Sequence, residues 1–402
     1  MKPRVVLAGV TVIEIVMAAV LFPLIDHAHI ATTDFVNFYA AATIVRDGHG
    51  STLYTAETQQ QALQTILGYR TAEYFLHPAF EAVVFVPLTY LRIERAFVLW
   101  TLINVAFLGF LPLVLAGYVP LVARRPYLGL LGFAFPPVLA GLTLGQDSIL
   151  VMFVISAAYL LLVRRQDLLG GAVLALAMVK FQYALILALL FLISRRFRLI
   201  SGFVLGCVLL ALASILVTGV GGAMQYVRFL HHFEQHVSYG AHSSDQMVMT
   251  FSALLAGLGW TPRLRLYELL GSTLFLALGV FIAASRRRGH LPLSFALFLA
   301  IALIATPYDH FQDVAILLPG IFLAMDDAVS QQMIGIRTKL VAASCVLLFV
   351  WPAVLVLCGG HYFWNSRIYL VFPVILLFVG TLAAQLWSGG MSNGSGQAAI
   401  RS

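Results

Sequence analysis

The chain has 402 residues, of which 61% are hydrophobic and 10% charged, with a net charge of +7 and a mean hydropathy of +0.95. A soluble domain of this length has no interior large enough to hide so much apolar surface, so the soluble globular class is excluded. The positive charge is no nucleic-acid signal either. It sits in short clusters between apolar runs, namely Arg124-Arg125, Arg164-Arg165, Arg195-Arg196-Arg198 and Arg286-Arg287-Arg288, where basic residues mark loops kept on the cytoplasmic side.

The expected class is an all-α polytopic integral membrane protein, because several apolar runs reach the roughly 20 residues that cross about 30 Å of hydrocarbon. The first, Val5 to Pro23, follows Met1-Lys2-Pro3-Arg4. It is longer than a usual signal core, has no clear small-residue cleavage site before Asp26, and reads as a retained span.

An outer loop follows, over about 26–77. Thr32 or Thr33 is placed to cap a helix from Asp34 to about Val45. Phe35, Phe38, Ala42 and Val45 share one face of it, and Asp34, Asn37 and Ala41 another. Such a helix is expected to lie flat at the interface with its apolar face in lipid. Asp34 has two readings, a carboxylate favoured by the helix dipole or a general base at the water–lipid boundary. A second short helix is expected from Thr55 to about Leu67, then Glu73-Tyr74-Phe75-Leu76-His77-Pro78 leads into the membrane.

Apolar spans are expected near 4–25, 78–91, 95–118, 127–143, 147–163, 168–179, 182–194, 197–218, 264–284, 291–306, 309–325, 338–357 and 367–387. This is one too many for both termini to be cytoplasmic. The conflict falls between 78 and 124, so one segment there does not cross fully and about 12 transmembrane helices are expected. The pieces flanking Lys180 are too short to span alone, which is tolerated where backbone lines a protein-enclosed or watery cavity. A second outer loop covers about 219–262. Residues 1–387 form a single membrane domain, and the Gly/Ser-rich end 388–402 reads as a disordered tail.

Polar residues collect on the outer side, where every histidine but His290 falls. Lys180 is the only lysine between Lys2 and Lys339; at membrane depth it is a functional candidate, set against snorkelling to the surface. His310 lies among Tyr308, Asp309 and Asp313, carboxylates able to fix its tautomer. His77 stands at the mouth of a span. Gln146 and Asp147 suit sugar hydroxyls or the backbone of a tight turn. Glu14, Glu81 and Glu268 are expected to bond to neighbouring helices. His231, His232, His236 and His242 lack a paired helical spacing with a carboxylate and read as a solvated loop, so no metal site is expected. Asp326-Asp327 falls on the cytoplasmic side. Cys207, Cys345 and Cys358 have neither disulfide nor zinc spacing. No GxxxxGK[ST] loop or dinucleotide fingerprint occurs, and no cofactor is expected.

The order Asp34-(x4)-Tyr39-Ala40-Ala41, Gly50-(x2)-Leu53-Tyr54, His77-Pro78-(x8)-Pro87-Leu88, Leu99-Trp100, Gly145-Gln146, Gly170-Gly171 through Lys180, and Tyr308-Asp309-His310 resembles glycosyltransferase family 87 over roughly residues 30–320. One departure is His77, where mannosyltransferases of the family more often carry Tyr before Pro. The resemblance implies the C-type architecture of polytopic transferases that use polyprenyl-phosphate sugars. It implies a cytoplasmic (inner) membrane enzyme with its active site on the extracytoplasmic face, moving a mannose-like hexose or a pentose to a glycolipid or glycan acceptor with inversion. Asp34 matches the family's catalytic base. Lys180, His310, Asp309, His77, Gln146, Asn37 and Tyr39 are the candidates for donor phosphate or sugar. The competing reading is a transporter or flippase of lipid-linked sugars, which would carry repeat symmetry and matched broken helices; neither is evident.

Overall fold

A computed structural model of the protein describes residues 30–69, 74–236, 248–260, 262–285, 291–358 and 367–398, with side chains omitted for 232–236 and 388–398. The expected first span, with Glu14, therefore lies outside the described residues, as do the side chains of His232, His236 and His242, residues 286–290 and residues 399–402. Among the described residues the fold is helical, with a single isolated bridge, Val248 to His310.

The first outer loop folds into α1 (Phe35–Arg46) and α2 (Ala56–Leu67). Thr55 begins α2, and Gly68 ends it at φ 84°, a left-handed position that glycine takes without strain. Two expectations for α1 are corrected. Its N-cap is Asp34, while the Thr33 hydroxyl donates back to the Ile30 carbonyl at 2.8 Å. Nor does it lie in lipid. Phe35, Val36, Asn37, Phe38, Ala40, Ala41, Ala42 and Ile44 are all buried, because aromatic rings from the loop's end and from the next two helices cover the helix. Phe38 stacks on Phe85 and meets Phe75 edge-on, and Phe35 meets Phe97 edge-on.

The next segment, α3 (Ala79–Phe85) with a 3-10 stretch Val86–Tyr90, is apolar but too short to qualify as a span by length. Arg46 on α1 donates to the Thr89 carbonyl at 2.7 Å and Tyr39 to the Leu91 carbonyl at 2.9 Å, so its far end stays beside the outer loop. The following α4 (Ile93–Ala116) is long and apolar enough to cross.

From there the chain shuttles between two ends of a bundle. At the far end, α5 (Pro120–Arg124) begins beside Asp326, whose carboxylate accepts the Leu121 N–H at 2.6 Å. The chain returns through the 3-10 stretch Pro126–Ala134 and α6 (Pro136–Leu144), bent by 59°. It turns at Gly145 and descends as α7 (Ser148–Val163). Next come α8 (Asp167–Ala175), a 3-10 stretch Leu176–Lys180, and α9 (Phe181–Ile193). By composition 167–193 qualifies as one span, but a straight helix of that length measures about 40 Å. Arg196 lies 4.0 Å from Asp167. The stretch is therefore a hairpin with Lys180 at its tip.

Helix α10 (Phe197–His236) climbs alongside α8 and breaks at Gly219 (φ 68°, ψ 170°), the expected end of that span. Close approach needs glycine here. A methyl at Gly171 would strike the Leu199 carbonyl, and one at Gly202 the Leu168 carbonyl. Gly171→Val is expected to cost about 1–3 kcal/mol, the range for overpacking, read as a lower unfolding midpoint in detergent with unchanged secondary structure.

Past Gly219, α10 lies over the outer loop. Tyr226 packs on Tyr54 at 4.5 Å and donates to the Leu76 carbonyl at 3.1 Å. The remainder is α11 (Phe251–Gly257), α12 (Leu264–Ser285), α13 (Leu291–Ile304), a 3-10 stretch Phe311–Leu317 running into α14 (Leu318–Ser330), α15 (Ile336–Cys358) and α16 (Phe372–Ala398). The backbone of α16 stays helical past Trp387, through part of the stretch expected to be disordered. Extending an existing helix needs no new nucleus.

Among the described residues six stretches are long and apolar enough to cross a membrane, counting the 167–193 hairpin as one of them, or up to seven if the bent pair counts as one. Shorter apolar helices, Ala79–Tyr90, Ser148–Val163 and Leu291–Ile304, complete the bundle. Alternation of the two ends sorts the basic clusters: Arg124, Arg125, Arg164, Arg165, Arg195 and Arg196 share one end. Arg165 and Arg195 take left-handed φ of 62° and 60° just past helix C-termini, where a cation complements the dipole.

Candidate functional site

At the opposite end, residues from five segments meet. Asp34 caps α1 by backbone position only; its side chain makes no capping bond. Its Oδ2 instead accepts from Gln146 Nε2 at 2.6 Å. This separates the two readings of Asp34 geometrically. The carboxylate is half-buried and turned toward the bundle rather than toward its own helix.

Gln146 is held in place by the turn that carries it. Gly145 has φ 65°, and a methyl there would lie 2.7 Å from Phe35 Cβ and 2.9 Å from Phe97 Cε2. Its carbonyl accepts from Trp100 Nε1 at 2.8 Å. The Leu99-Trp100 and Gly145-Gln146 pairs, far apart in sequence, are thus one contact. The Gln146 carbonyl oxygen accepts from Lys180 Nζ at 3.3 Å.

Lys180 is 5% exposed and does not snorkel. Its ammonium lies 3.0 Å from Asp147 Oδ1 and 2.9 Å from Asp313 Oδ1. With Gln146 these partners engage all three of its donors. The ammonium thereby ties Gln146, Asp147 and Asp313 together. Asp313 also accepts from Ser148 Oγ at 2.6 Å and from the Tyr183 phenol at 2.9 Å, and the same phenol lies 2.6 Å from Asp309 Oδ1. His310 is half-buried beside Tyr308 at 4.6 Å, within electrostatic reach of Asp309 and Asp313. The Asp309 carbonyl accepts from Met249 N–H at 2.9 Å, tying the turn to the start of α11.

His77 joins from the other side. Its Nδ1 lies 2.7 Å from Glu81 Oε2 and 3.7 Å from Asp147 Oδ2. Its ring stacks on Phe75, and its carbonyl accepts from Tyr54 at 2.9 Å. Burial pushes the Tyr54 phenol up, which keeps it a donor. Farther out on the loop, the Arg46 guanidinium bonded to Asp47 holds that carboxyl below the usual carboxylate range.

Asn37, one turn from Asp34, is buried with its Oδ1 accepting no hydrogen bond among the described residues. Tyr39 is not brought to the site, since its phenol is spent on Leu91. Sequence reasoning missed Glu81, Ser148 and Tyr183. Glu81 stands one helical turn after His77, a spacing that places both on one side. Ser148 and Tyr183 gave no signal, being a hydroxyl at a helix start and an aromatic in an apolar run. Glu268, as expected, satisfies a neighbour: it accepts the Ser252 N–H at 2.6 Å.

Removing the donor that holds Asp34 should be felt directly. Gln146→Leu is expected to lower turnover on the order of tenfold or more, the worth of one hydrogen bond to a charged group at about 1.5–3 kcal/mol, with the folded fraction preserved.

A half-buried carboxylate at the mouth of a helical bundle, backed by a buried ion network, is a candidate site for membrane-embedded chemistry. The sequence profile of glycosyltransferase family 87 matches residues 75–307, more than half of the chain, and the chain belongs to that family. It is a membrane glycosyltransferase. The matched stretch contains His77, Glu81, Gln146, Asp147 and Lys180; Asp34 and the Asp309–Asp313 turn flank it. No curated protein and no solved structure matches the chain.

Proposed function

We propose that the protein transfers a sugar from a polyprenyl-phosphate donor to a glycolipid or glycan hydroxyl, with Asp34 as general base. The observation that carries this reading is the Asp34 carboxylate itself, which leaves its helix uncapped and is held by Gln146 within a network anchored on Lys180.

In this reading Asp34 takes the proton from the acceptor hydroxyl. The hydroxyl oxygen attacks the anomeric carbon, the bond from that carbon to the phosphate oxygen breaks, and polyprenyl phosphate leaves with the electron pair. A single displacement inverts the anomeric centre. His310 stands at the rim to donate to the departing phosphate. Asn37, beside the base, suits a sugar hydroxyl. Lys180, Asp147, Asp309 and Asp313 are positioning residues, and Gln146 orients the base.

Orientation follows from charge. The end opposite the site carries the arginine clusters, so that end faces the cytoplasm and the site faces outward from the inner membrane. The passes described above, with the first apolar run at 4–25, support about twelve crossings and a C-type arrangement. An outward site has no access to cytoplasmic nucleotide sugars, which favours a lipid-carried donor. In a cysteine-free background, a cysteine replacing exposed Ser51 is expected to react with an impermeant maleimide in intact cells. One replacing exposed Arg164 is expected to stay unlabelled, and the reverse pattern overturns the orientation.

The reading itself is tested with purified protein in lipid nanodiscs and radiolabelled donors. Polyprenyl-phosphate hexoses or pentoses are expected to give labelled product with a lipid-extract acceptor, and nucleotide sugars none. Transfer from a nucleotide sugar alone would overturn it.

A further inference from the structure

The buried network has a charge imbalance that its own residues do not close. Among the described residues Asp34, Glu81, Asp147, Asp309 and Asp313 bring five carboxyl groups, and the cations already named in contact with them are Lys180 and, at most, His77 and His310. With all five ionised and both imidazoles charged, this set falls two positive charges short, to be made up by protons or by a cation. An unpaired carboxylate at this depth is costly, and a phosphate-bearing substrate would make the deficit larger.

The deficit is concentrated at one place. Glu81 is 1% exposed and Asp147 is 0% exposed. Glu81 Oε1 and Asp147 Oδ2 accept no hydrogen bond among the described residues. Lys180 covers only the Oδ1 side of Asp147. His77 Nδ1 and one oxygen from each carboxylate all lie within 4.8 Å of one another.

We propose that His77 Nδ1 and the carboxylates of Glu81 and Asp147 form a binding site for a divalent cation of the Mn²⁺ class. With bonds of about 2.1 Å, ligand atoms stand roughly 3.0–4.2 Å apart around such an ion. The 3.7 Å between His77 Nδ1 and Asp147 Oδ2 already falls in that range. The 2.7 Å between His77 Nδ1 and Glu81 Oε2 has to open by a few tenths of an ångström, as the proton between them gives way to the ion.

The ligands are held as a site requires. His77 and Glu81 are one turn apart at the start of α3, Phe75 fixes the imidazole plane, and Asp147 comes from the turn before α7. One imidazole with two carboxylates suits Mn²⁺ or Zn²⁺ better than Mg²⁺, which prefers oxygen alone. His77, 21% exposed in its side chain, gives the entry path. The ion's two charges, less the imidazole proton it displaces, add one net positive charge and halve the deficit at the mouth of the site, one residue from the glutamine that holds Asp34.

The test is metal binding alone, with no sugar present, so it stands apart from the transfer reading. The full chain in nanodiscs is stripped with chelator and titrated with Mn²⁺, and free Mn²⁺ is followed by electron paramagnetic resonance. One equivalent is expected to bind at micromolar concentration, with Glu81→Gln and His77→Gln each weakening it tenfold or more. Should Glu81→Gln fail to fold by size-exclusion, His77→Gln at the rim decides alone. Absence of stoichiometric binding to the wild-type protein, or binding unchanged in a folded variant, overturns the proposal. Loss of transfer in Asp34→Asn with Mn²⁺ still bound would leave both readings standing and separable.

Discussion

Asp34→Asn is expected to lower sugar transfer by about 10²–10⁴-fold, the contribution attributed to a positioned general base, while the protein inserts and folds as before. The amide has nearly the same size, and its oxygen still accepts from Gln146 Nε2, now 2.6 Å from the carboxylate; it takes no proton. Stability should change little, because asparagine is as good an N-cap as aspartate and the Asp34 side chain makes no capping bond to lose. Turnover and unfolding midpoint measured on one preparation distinguish a lost base from a lost fold. A stable variant that still transfers at the wild-type rate removes Asp34 from the chemistry.

Lys180→Met is expected to damage the fold as well as the reaction. Methionine fills the space of the aliphatic stem but leaves Asp147 and Asp313, now 3.0 and 2.9 Å from the ammonium, buried without their cation. Breaking a buried pair from one side costs about 3–5 kcal/mol, and two carboxylates share this one lysine. The loss is expected as a lower unfolding midpoint in detergent, with Gln146 freed and turnover reduced. The double variant Lys180→Met/Asp313→Asn, with one buried charge fewer, should regain part of the stability but not the activity. If the double variant is no more stable than the single, the lysine is not acting as the network's counter-charge.

These expectations draw unevenly on sequence and structure. The class was readable because hydropathy is a local property that needs no partner, and so was the gathering of the arginine clusters at one end. The break at Gly219 and the tip at Lys180 were readable for the same reason: short apolar pieces around one polar residue leave the chain little choice. The embedding of α1 was not readable. Its apolar face looks the same whether it meets lipid or protein, and only the arrival of Phe75, Phe85 and Phe97 from later in the chain decides.

The site shows the same division. Asp34, Gln146, Lys180, His77 and Asp309 could be picked out because polar groups in apolar surroundings are costly and so carry information. Which of them touch could not be read, since Asp34 and Gln146 are 112 positions apart. Glu81 was taken for a helix-bonding residue because its partner Asp147 lies on a different pass. Tyr39 shares a motif with Asp34, but a helix turns by 3.6 residues, and five positions on, its phenol reaches the Leu91 carbonyl.

One carboxylate acting as base in a direct displacement inverts the anomeric centre, so the anomeric configuration of the product tests its role most directly. A polyprenyl-phosphate sugar labelled with carbon-13 at the anomeric position, turned over by the wild-type protein in nanodiscs, gives a product whose configuration is read by NMR. Inversion is the predicted result. A product with retained configuration would require a covalent or double-displacement route and would contradict the role assigned to Asp34.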